Sequence, residues 1–369
     1  MFVRLDALTI WRNSVVRDRL SWYYQVMRDE KPAKYLIAKK VPSSVDLSSS
    51  LDDLWEEHDT LSQKFKEVYR RILNGSIKLE EIDVPRQSLL DLKAEILRRI
   101  LRSCHLCEWR CKVDRLKGEK KGTCKLGSET RVSTWFHHYG EEPPLVCTGG
   151  SGTIFFTSCT FRCVFCQNWD ISQDPSNGAP VDARRLALIM RNLREEGAHN
   201  INFVGGEPTM HLSTIVEGMR LIDVNVPMLW NSNMYCSLET MKILVDLIDI
   251  WLPDFKYGND SCALRLSKVM NYFSVVSRNH ALAHENGDMI IRHLVLPNHV
   301  ECCTKPILEW VSKYCPRALM NVMGQYRPEH LVPVQTEKYR DIARRPTGEE
   351  MRRAYSYAKE LGIVYEPVS

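Results

Sequence analysis

The 369-residue sequence has no long apolar run and no segment typical of a secretory leader. A membrane-spanning helix needs about 20 consecutive apolar residues, and no stretch approaches that length. The first 20 residues scatter charges among their apolar side chains, so the continuous apolar core of a signal peptide is missing. The net charge is also small, +4, which neither indicates nor excludes contact with nucleic acid. We therefore expect a cytoplasmic protein without a membrane segment.

Cysteine, in contrast, is abundant, with 13 residues. So many thiols in a chain without secretory features indicate reduced cysteines and metal ligands instead of a disulfide framework. The length and the 44% hydrophobic content allow a sizeable core. One barrel of ordinary size with an appendage fits them better than several small domains do.

One cysteine cluster has the spacing C-x3-C-x2-C and comprises Cys159, Cys163 and Cys166. An apolar, β-branched run that predicts a buried strand directly precedes it. Three thiolates leave a four-coordinate structural metal one ligand short. A cubane iron–sulfur cluster held by three cysteines instead keeps one iron open to a small molecule. The alternative interpretation is a plain three-cysteine zinc or redox loop.

This spacing, with the aromatic Phe165 directly before the last cysteine, resembles the signature of the radical S-adenosylmethionine (SAM) enzymes. About one βα unit later, a second apolar strand runs into Gly205, Gly206, Glu207 and Pro208. In that family such a segment lies along the methionine part of SAM, and Glu207 looks like the residue that meets the SAM amino group. The resemblance implies a 4Fe-4S cluster and SAM as cofactors.

The second half of the chain alternates strand and helix patterns. Further strands are predicted at residues 202–204, 228–230, 250–255, 289–296 and 318–323. Helices are predicted at residues 182–196, 211–222, 237–248, 261–283, 305–313 and 347–361. Repeated βα units predict a parallel sheet with right-handed crossovers. Six main strands fit the partial (β/α)6 TIM-type barrel of the radical SAM enzymes.

We accordingly predict an α/β fold in three parts. Residues 1–103 form a helical N-terminal extension, residues 104–150 a small cysteine-rich metal-binding segment with its connector, and residues 151–369 the barrel. In the extension, apolar residues recur at helical spacing from Leu51 to Ile72 and again after Pro85. We interpret the extension as a helical cap packed on the barrel, with a partner-docking arm as the alternative.

A second cysteine cluster has the spacing C-x2-C-x3-C-x12-C and comprises Cys104, Cys107, Cys111 and Cys124. Four thiolates in one short loop can close a tetrahedral zinc site or hold an auxiliary iron–sulfur cluster, and spacing does not separate the two. Cys147 is a possible fifth thiolate. Residues 135–149 are expected to be a connector. It carries His137, His138, Glu141 and Glu142, of which the two histidines are possible substrate-side residues.

Further candidates follow from the rule that parallel barrels carry their catalytic groups where the strands end. Asn231 and Asn233 end the third strand, and Asp254 and Lys256 end the fourth. The last pair resembles the Asp-x-Lys of glycyl-radical-enzyme activases, where the lysine helps hold the SAM carboxylate. On the fifth strand, alternation lets either Arg292 or His293 point inward. After the sixth strand, substrate-gripping positions are predicted at Gln325, Tyr326 and Arg327.

Residues 104–369 resemble radical SAM proteins related to pyruvate formate-lyase activating enzyme. The resemblance implies reductive cleavage of SAM to a 5′-deoxyadenosyl radical, which abstracts hydrogen from a substrate, with ferredoxin or flavodoxin as electron donor. One hypothesis is an activase of a glycyl-radical protein. Another is modification of a metabolite, lipid precursor or RNA, with the cysteine segment and helical cap covering the barrel mouth. A third, of another class, is a non-catalytic iron–sulfur electron carrier or binding protein.

Overall fold

The computed structural model of the protein describes residues 4–369. Its α-helices span Leu5–Thr9, Ser14–Arg19, Ser21–Met27, Lys34–Ala38, Leu51–Leu73, Leu89–Ile100, Pro143–Val146, Trp169–Ser172, Ala183–Glu195, Leu212–Leu221, Leu238–Leu244, Asp260–Ser267, Tyr272–Glu285, Lys305–Tyr314 and Gly348–Glu360. Across the described residues, no helix combines the length and the apolar composition that crossing a membrane requires.

Eight strands form one open sheet in the order β3-β1-β2-β4-β5-β6-β7-β8. They span β1 Arg131–His138, β2 Ser151–Phe156, β3 Ala179–Pro180, β4 Ile201–Gly205, β5 Met228–Ser232, β6 Ile250–Pro253, β7 Asp288–Leu294 and β8 Leu319–Met323. The six strands from β2 to β8 other than β3 pair in parallel. This confirms the α/β class and the six-stranded parallel core.

Alternation along the parallel strands builds the barrel interior in layers. The lowest layer is apolar and lies at the amino ends of the strands. It comprises Leu229, Ile250, Leu252, Ile290 and Leu319. Two residues further along the strands the interior becomes polar, with Asn231 on β5 and Arg292 on β7. The sequence thus places a hydrophobic floor below a polar chamber.

The N-terminal extension packs against this floor and against the outer helices. Tyr23 is fully buried in the floor cluster, and its backbone N–H donates to Asp288 at 2.8 Å. The Trp22 indole donates to Asp249 at 2.8 Å. The helix Leu51–Leu73 begins at Ser50, whose hydroxyl and Asp53 form a reciprocal capping box. These contacts agree with a cap that shares the core of the barrel, while the predicted domain boundaries stay a prediction.

Two sequence expectations need correction. Residues 135–138 do not belong to a connector but to β1, which pairs antiparallel with β2 and widens the sheet. Its mixture of tryptophan, phenylalanine and histidine hides the two-residue alternation of a strand. The helix expected at 261–283 is broken between Ser267 and Tyr272, because Lys268 and Asn271 adopt left-handed backbone conformations.

Candidate active site

The three cysteines of the C-x3-C-x2-C motif lie in the loop after β2, at the carboxyl end of the barrel. Cys159 and Cys163 are buried and Cys166 is half-buried. Each thiol has a polar neighbour. The Phe161 N–H lies 3.3 Å from the Cys159 sulfur. The Ser267 hydroxyl lies 2.9 Å from the Cys163 sulfur, and the Ser172 hydroxyl lies 3.2 Å from the Cys166 sulfur. The loop therefore presents three thiols to one cavity.

The surroundings of these thiols fit a cluster better than a single ion. Burial raises the pKa of Cys159 and, to about 11, that of Cys163, so both carry protons until a cation displaces them. Among residues 4–369, the sulfurs of these three cysteines are not all within 4.8 Å of one another. A single tetrahedral ion needs closer ligands, whereas a cubane distributes its thiolates over separate corners.

Gly205 and Gly206 lie directly against the backbone that leads into the cysteine loop. Gly205 has φ of +114°, and a Cβ atom there would approach the Phe156 carbonyl oxygen to 2.2 Å. A Cβ atom on Gly206 would lie 1.8 Å from the Ser158 carbonyl oxygen. The Gly206 N–H donates to the Phe156 carbonyl at 2.8 Å. Only glycine permits this approach of the two segments.

Glu207 is buried, and its carboxylate accepts four hydrogen bonds from the protein. The donors to Oε1 are the N–H and hydroxyl of Thr209, at 3.2 and 2.6 Å, and the hydroxyl of Ser232, at 2.7 Å. Oε2 accepts from the Asn233 N–H at 2.9 Å. Burial raises the pKa of Glu207. The side chain thus joins the ends of β4 and β5, while the predicted contact with an amino group stays a prediction.

A charged group sits where β6 and β7 end. Lys256 Nζ donates to Asp254 Oδ2 at 2.6 Å, and Arg292 Nε donates to Asp254 Oδ1 at 3.0 Å. Burial acts to raise the pKa of Asp254, but Arg292 and Lys256 outweigh it and hold that pKa below its usual value. The site therefore carries a half-buried carboxylate between two cations.

The structure decides which side chain of β7 faces the interior. Arg292 lines the cavity and also contacts Asn231 and Glu141. His293 points the other way, where its Nδ1 lies 2.8 Å from the Phe255 carbonyl and its Nε2 2.9 Å from the Thr304 hydroxyl. His293 is a buried core histidine between strand and helix.

These groups line one cavity of about 500 Å³. The predicted residues in its wall are Cys159, Cys163, Cys166, Gly205, Gly206, Glu207, Asn231, Asn233, Asp254, Lys256, His138, Arg292 and Gln325, and Glu141, which was not a candidate, also lines it. The residues that sequence reasoning missed include Phe155, Ser172, Leu294 and Met323. Their strand and helix patterns are those of ordinary core residues, so no local signal distinguishes them. No residue of the extension from position 4 to 103 lines this cavity, which corrects the expectation that the helical cap covers the mouth.

Several other candidates lie outside the cavity wall. Tyr326 is buried and donates to the Ile342 carbonyl at 2.7 Å, so it acts as a core residue. Arg327 pairs with Glu329 on the surface at 2.6 Å. His137 lies 2.6 Å from the Gly149 carbonyl. These positions are not gathered with the three thiols.

Glu142 is a buried acid in the polar layer of the barrel. Its Oε1 accepts from Asn321 at 2.9 Å, while Oε2 has no partner. Burial and then the neighbouring Glu141 raise the pKa of Glu142 from 4.5 to about 7. Between pH 4.5 and about pH 7, Glu142 is deprotonated in the unfolded chain but still protonated in the folded chain. Folding stability therefore falls as pH rises through this window.

We expect Glu142→Gln to remove this loss. At pH 8 the variant should be more stable than the wild type by up to about 3 kcal/mol, the free energy of a shift of this size. At pH 4 the two proteins should differ little, because both side chains are neutral. Anaerobic urea unfolding at the two pH values measures the difference, with the exposed Glu195→Gln as control. An equal difference at both pH values would show that Glu142 ionises normally.

The second cysteine set is also gathered in space. Cys104, Cys107 and Cys124 are buried and Cys111 is half-buried. Burial raises the pKa of Cys107 and Cys124, and the neighbouring thiols raise them further. Among residues 4–369, however, no three sulfurs of this set lie within 4.8 Å of one another. Cys147 is separate, since its sulfur accepts from the Trp11 indole at 2.9 Å.

The cysteine-rich segment rests directly on the first cysteine loop. The Trp109 indole donates to the Thr160 carbonyl at 2.9 Å. The Ser158 hydroxyl donates to the Cys124 carbonyl, and Arg162 donates to the Thr123 carbonyl. The two cysteine clusters are therefore neighbours in the fold.

Comparison with known proteins identifies the family. The model of the radical SAM superfamily matches residues 153–311. "Uncharacterized protein MJ0674" of Methanocaldococcus jannaschii is 41% identical over 356 residues, which cover 94% of this chain and 100% of that protein. The shared region therefore includes most of the N-terminal extension. The resemblance to the superfamily is confirmed, while the relation to pyruvate formate-lyase activating enzyme stays a prediction.

Solved structures show more distant similarity. SuiB of Streptococcus suis bound to the precursor peptide SuiA has 14% sequence identity and a TM-score of 0.39, over 55% of this chain and 44% of SuiB. TYW1 with a lysine–pyruvate adduct bound has 12% identity and a TM-score of 0.36, over 57% of this chain and 72% of TYW1. This chain thus spans less than half of SuiB. The assignment to the radical SAM superfamily therefore rests on the sequence matches and not on these structures.

Proposed function

Because this chain belongs to the radical SAM superfamily, which implies a 4Fe-4S cluster, SAM and a reductant, we propose that its cavity binds both cofactors for radical chemistry. The observation that supports this most strongly is the convergence of three thiols, the glycine pair and the Asp254–Lys256 pair on one cavity. When bound, the reduced cluster and SAM supply a 5′-deoxyadenosyl radical that abstracts hydrogen from a substrate.

The chain's own residues have distinct roles in this proposal. Cys159, Cys163 and Cys166 would hold the cluster and leave one iron open. The glycine pair brings the end of β4 against the cysteine loop, with no Cβ atom between the two segments. The Lys256 ammonium, half-buried beside Cys163 and Asp254, would attract the SAM carboxylate. Glu207 positions the ends of β4 and β5.

The substrate would occupy the part of the cavity between β1 and β8. There the rings of Phe136 and Phe155 stack at 5.5 Å, and His138 packs edge-on against Phe136 at 5.6 Å. Phe155 and His138 line the cavity, whereas Phe136 is 41% exposed and lies outside its wall. Activation of a glycyl-radical protein is our second candidate, since an open sheet edge can admit a peptide loop.

A low-potential cluster requires a reducing compartment, and we propose the cytoplasm, with ferredoxin or flavodoxin as electron donor.

For the second cysteine set we propose an auxiliary iron–sulfur cluster. Among residues 4–369, no three sulfurs of Cys104, Cys107, Cys111 and Cys124 lie within 4.8 Å of one another, whereas two sulfurs on one zinc ion lie about 3.8 Å apart. The segment also contacts the catalytic loop through Trp109 and Ser158. An auxiliary cluster in this position would lie beside the first one and could pass electrons to it.

Electron paramagnetic resonance of the anaerobically reconstituted, reduced protein tests both proposals. We expect two cluster signals, of which SAM shifts one, because only the three-cysteine cluster has an open iron. The double variant Cys104→Ser/Cys107→Ser should lose the SAM-insensitive signal and keep the other. A wild-type spectrum that SAM does not change would contradict SAM binding at the cluster. Unchanged iron with loss of zinc in the double variant would contradict the auxiliary cluster.

A further inference from the structure

A third set of metal-ligating side chains lies outside both cysteine motifs. Within residues 4–369, a single set of three or more His, Cys, Asp or Glu side chains brings its ligand atoms within 4.8 Å of one another. It comprises Cys262, His299, Cys302 and Cys303. We propose that these four residues form a structural zinc site of the Cys3His type.

The distances between the ligand atoms match a tetrahedral zinc ion. With Zn–S of about 2.3 Å and Zn–N of about 2.0–2.1 Å, tetrahedral angles place sulfurs about 3.8 Å apart and sulfur about 3.6 Å from nitrogen. The Cys302 sulfur lies 4.0 Å from that of Cys262 and 3.9 Å from that of Cys303. The His299 Nδ1 atom lies 3.5, 3.3 and 3.8 Å from the sulfurs of Cys262, Cys302 and Cys303. A cubane cluster would need wider spacing.

The local backbone explains how adjacent cysteines reach one ion. Residues Val300–Thr304 form a π-helical turn, which rotates neighbouring residues through a smaller angle than an α-helical turn does. Such turns are rare and are frequently found at functional sites. Gly258 allows the approach from the other side, because a Cβ atom there would lie 2.8 Å from the Cys303 Cα atom. Cys302 and Cys303 thus both face the helix Asp260–Ser267 that carries Cys262.

The surroundings of His299 provide the support that zinc-bound histidines use. Coordination through Nδ1 leaves the proton on Nε2, which lies 3.0 Å from Asp341 Oδ2 and can donate to it. A carboxylate in this position fixes the ring and its tautomer. Arg265 pairs with the same carboxylate through Nη1 at 3.1 Å, so its charge balances that of Asp341.

The site joins segments that are distant in the chain. It links the helix Asp260–Ser267 to the turn after β7, and through Asp341 to the segment Arg340–Ile342. The last residue of that helix, Ser267, contacts the Cys163 sulfur. The zinc ion would therefore anchor the helix against which the catalytic cysteine loop packs.

The test measures zinc in the full-length protein, purified anaerobically and washed with a chelator. We expect about one zinc ion per chain in the wild type and its loss in Cys302→Ser. Cys302 is exposed, so the substitution should not prevent folding. Cys315→Ser, which removes a buried thiol elsewhere, should retain the zinc, as should Cys163→Ala, which affects iron alone. The zinc measurement therefore tests this site independently of the radical chemistry.

Two further measurements identify the ligands. Cobalt(II) added to the zinc-free protein should give tetrahedral d–d bands and a thiolate-to-cobalt charge-transfer band in the wild type but not in Cys302→Ser. Asp341→Asn keeps all four ligands and should weaken zinc binding by about 10- to 100-fold in competition with a chromophoric chelator. Absence of zinc from the wild type, a mononuclear iron in its place, or a disulfide among these cysteines by alkylation and mass spectrometry would overturn the proposal.

Discussion

Cys163→Ala is expected to abolish the formation of 5′-deoxyadenosine. Cys163 is buried in the middle of the cysteine loop, and the wall around its sulfur offers no other thiol besides Cys159 and Cys166. Two thiolates cannot hold a cubane that already depends on only three. The protein is reconstituted with iron and sulfide, reduced with dithionite and given SAM, and the product is measured by chromatography. We expect a decrease of at least about 100-fold, more than the loss of an outer-shell group costs.

The matched control for this experiment is Cys315→Ser. Cys315 is also buried, and it lies at the end of the helix Lys305–Tyr314, away from the cavity wall. Its substitution should leave product formation near the wild-type level. If Cys163→Ala forms the product as well as the control does, the cluster assignment is wrong. If the wild type has an intact cluster yet forms no product, either cleavage requires the substrate or the fold only binds SAM.

Gly206→Ala should prevent assembly of the catalytic cluster. The new methyl group would lie 1.8 Å from the Ser158 carbonyl oxygen and 3.1 Å from the Ser172 Cα atom, and neither backbone atom can move without its neighbours. Ser158 precedes Cys159, and the Ser172 hydroxyl touches the Cys166 sulfur. We expect the iron bound by the first cysteine set to be lost, together with a destabilisation of about 1–3 kcal/mol from overpacking.

Iron content after reconstitution and the melting temperature measure these two effects. The control is Gly348→Ala, at the start of the last helix, where the nearest atom to the new methyl group is 3.5 Å away on the flexible Arg352 side chain. That substitution should be neutral or slightly stabilising, because alanine favours helix over glycine. Wild-type iron and stability in Gly206→Ala would mean that the backbone segments do not approach this closely.

The parts of this site that could be predicted from the sequence are those with short-range spacing. The three-cysteine loop and the glycine segment follow buried strands, and βα alternation orders the strand ends. The choice between Arg292 and His293 required the fold, because both are polar and adjacent, and only the register of β7 with β8 decides which faces inward. The Cys262–His299 site was missed because 36 residues separate Cys262 from the His299–Cys303 turn. Without the tertiary contact between a helix and a loop, these cysteines look like isolated core residues.

The sealed barrel floor has a consequence for biosynthesis. Tyr23 is 265 residues away in sequence from its hydrogen-bond partner Asp288, and Arg19 donates to the Ala318 carbonyl across 299 residues. The aromatic residues at the start of the chain therefore leave the ribosome long before the strands that cover them exist. Contacts between residues so distant in sequence form late in folding. Until they form, the apolar side chains at the start of the chain are exposed and prone to aggregate. Completion of the floor is thus a late step in folding, and a nascent chain has to be protected until β8 has been synthesised.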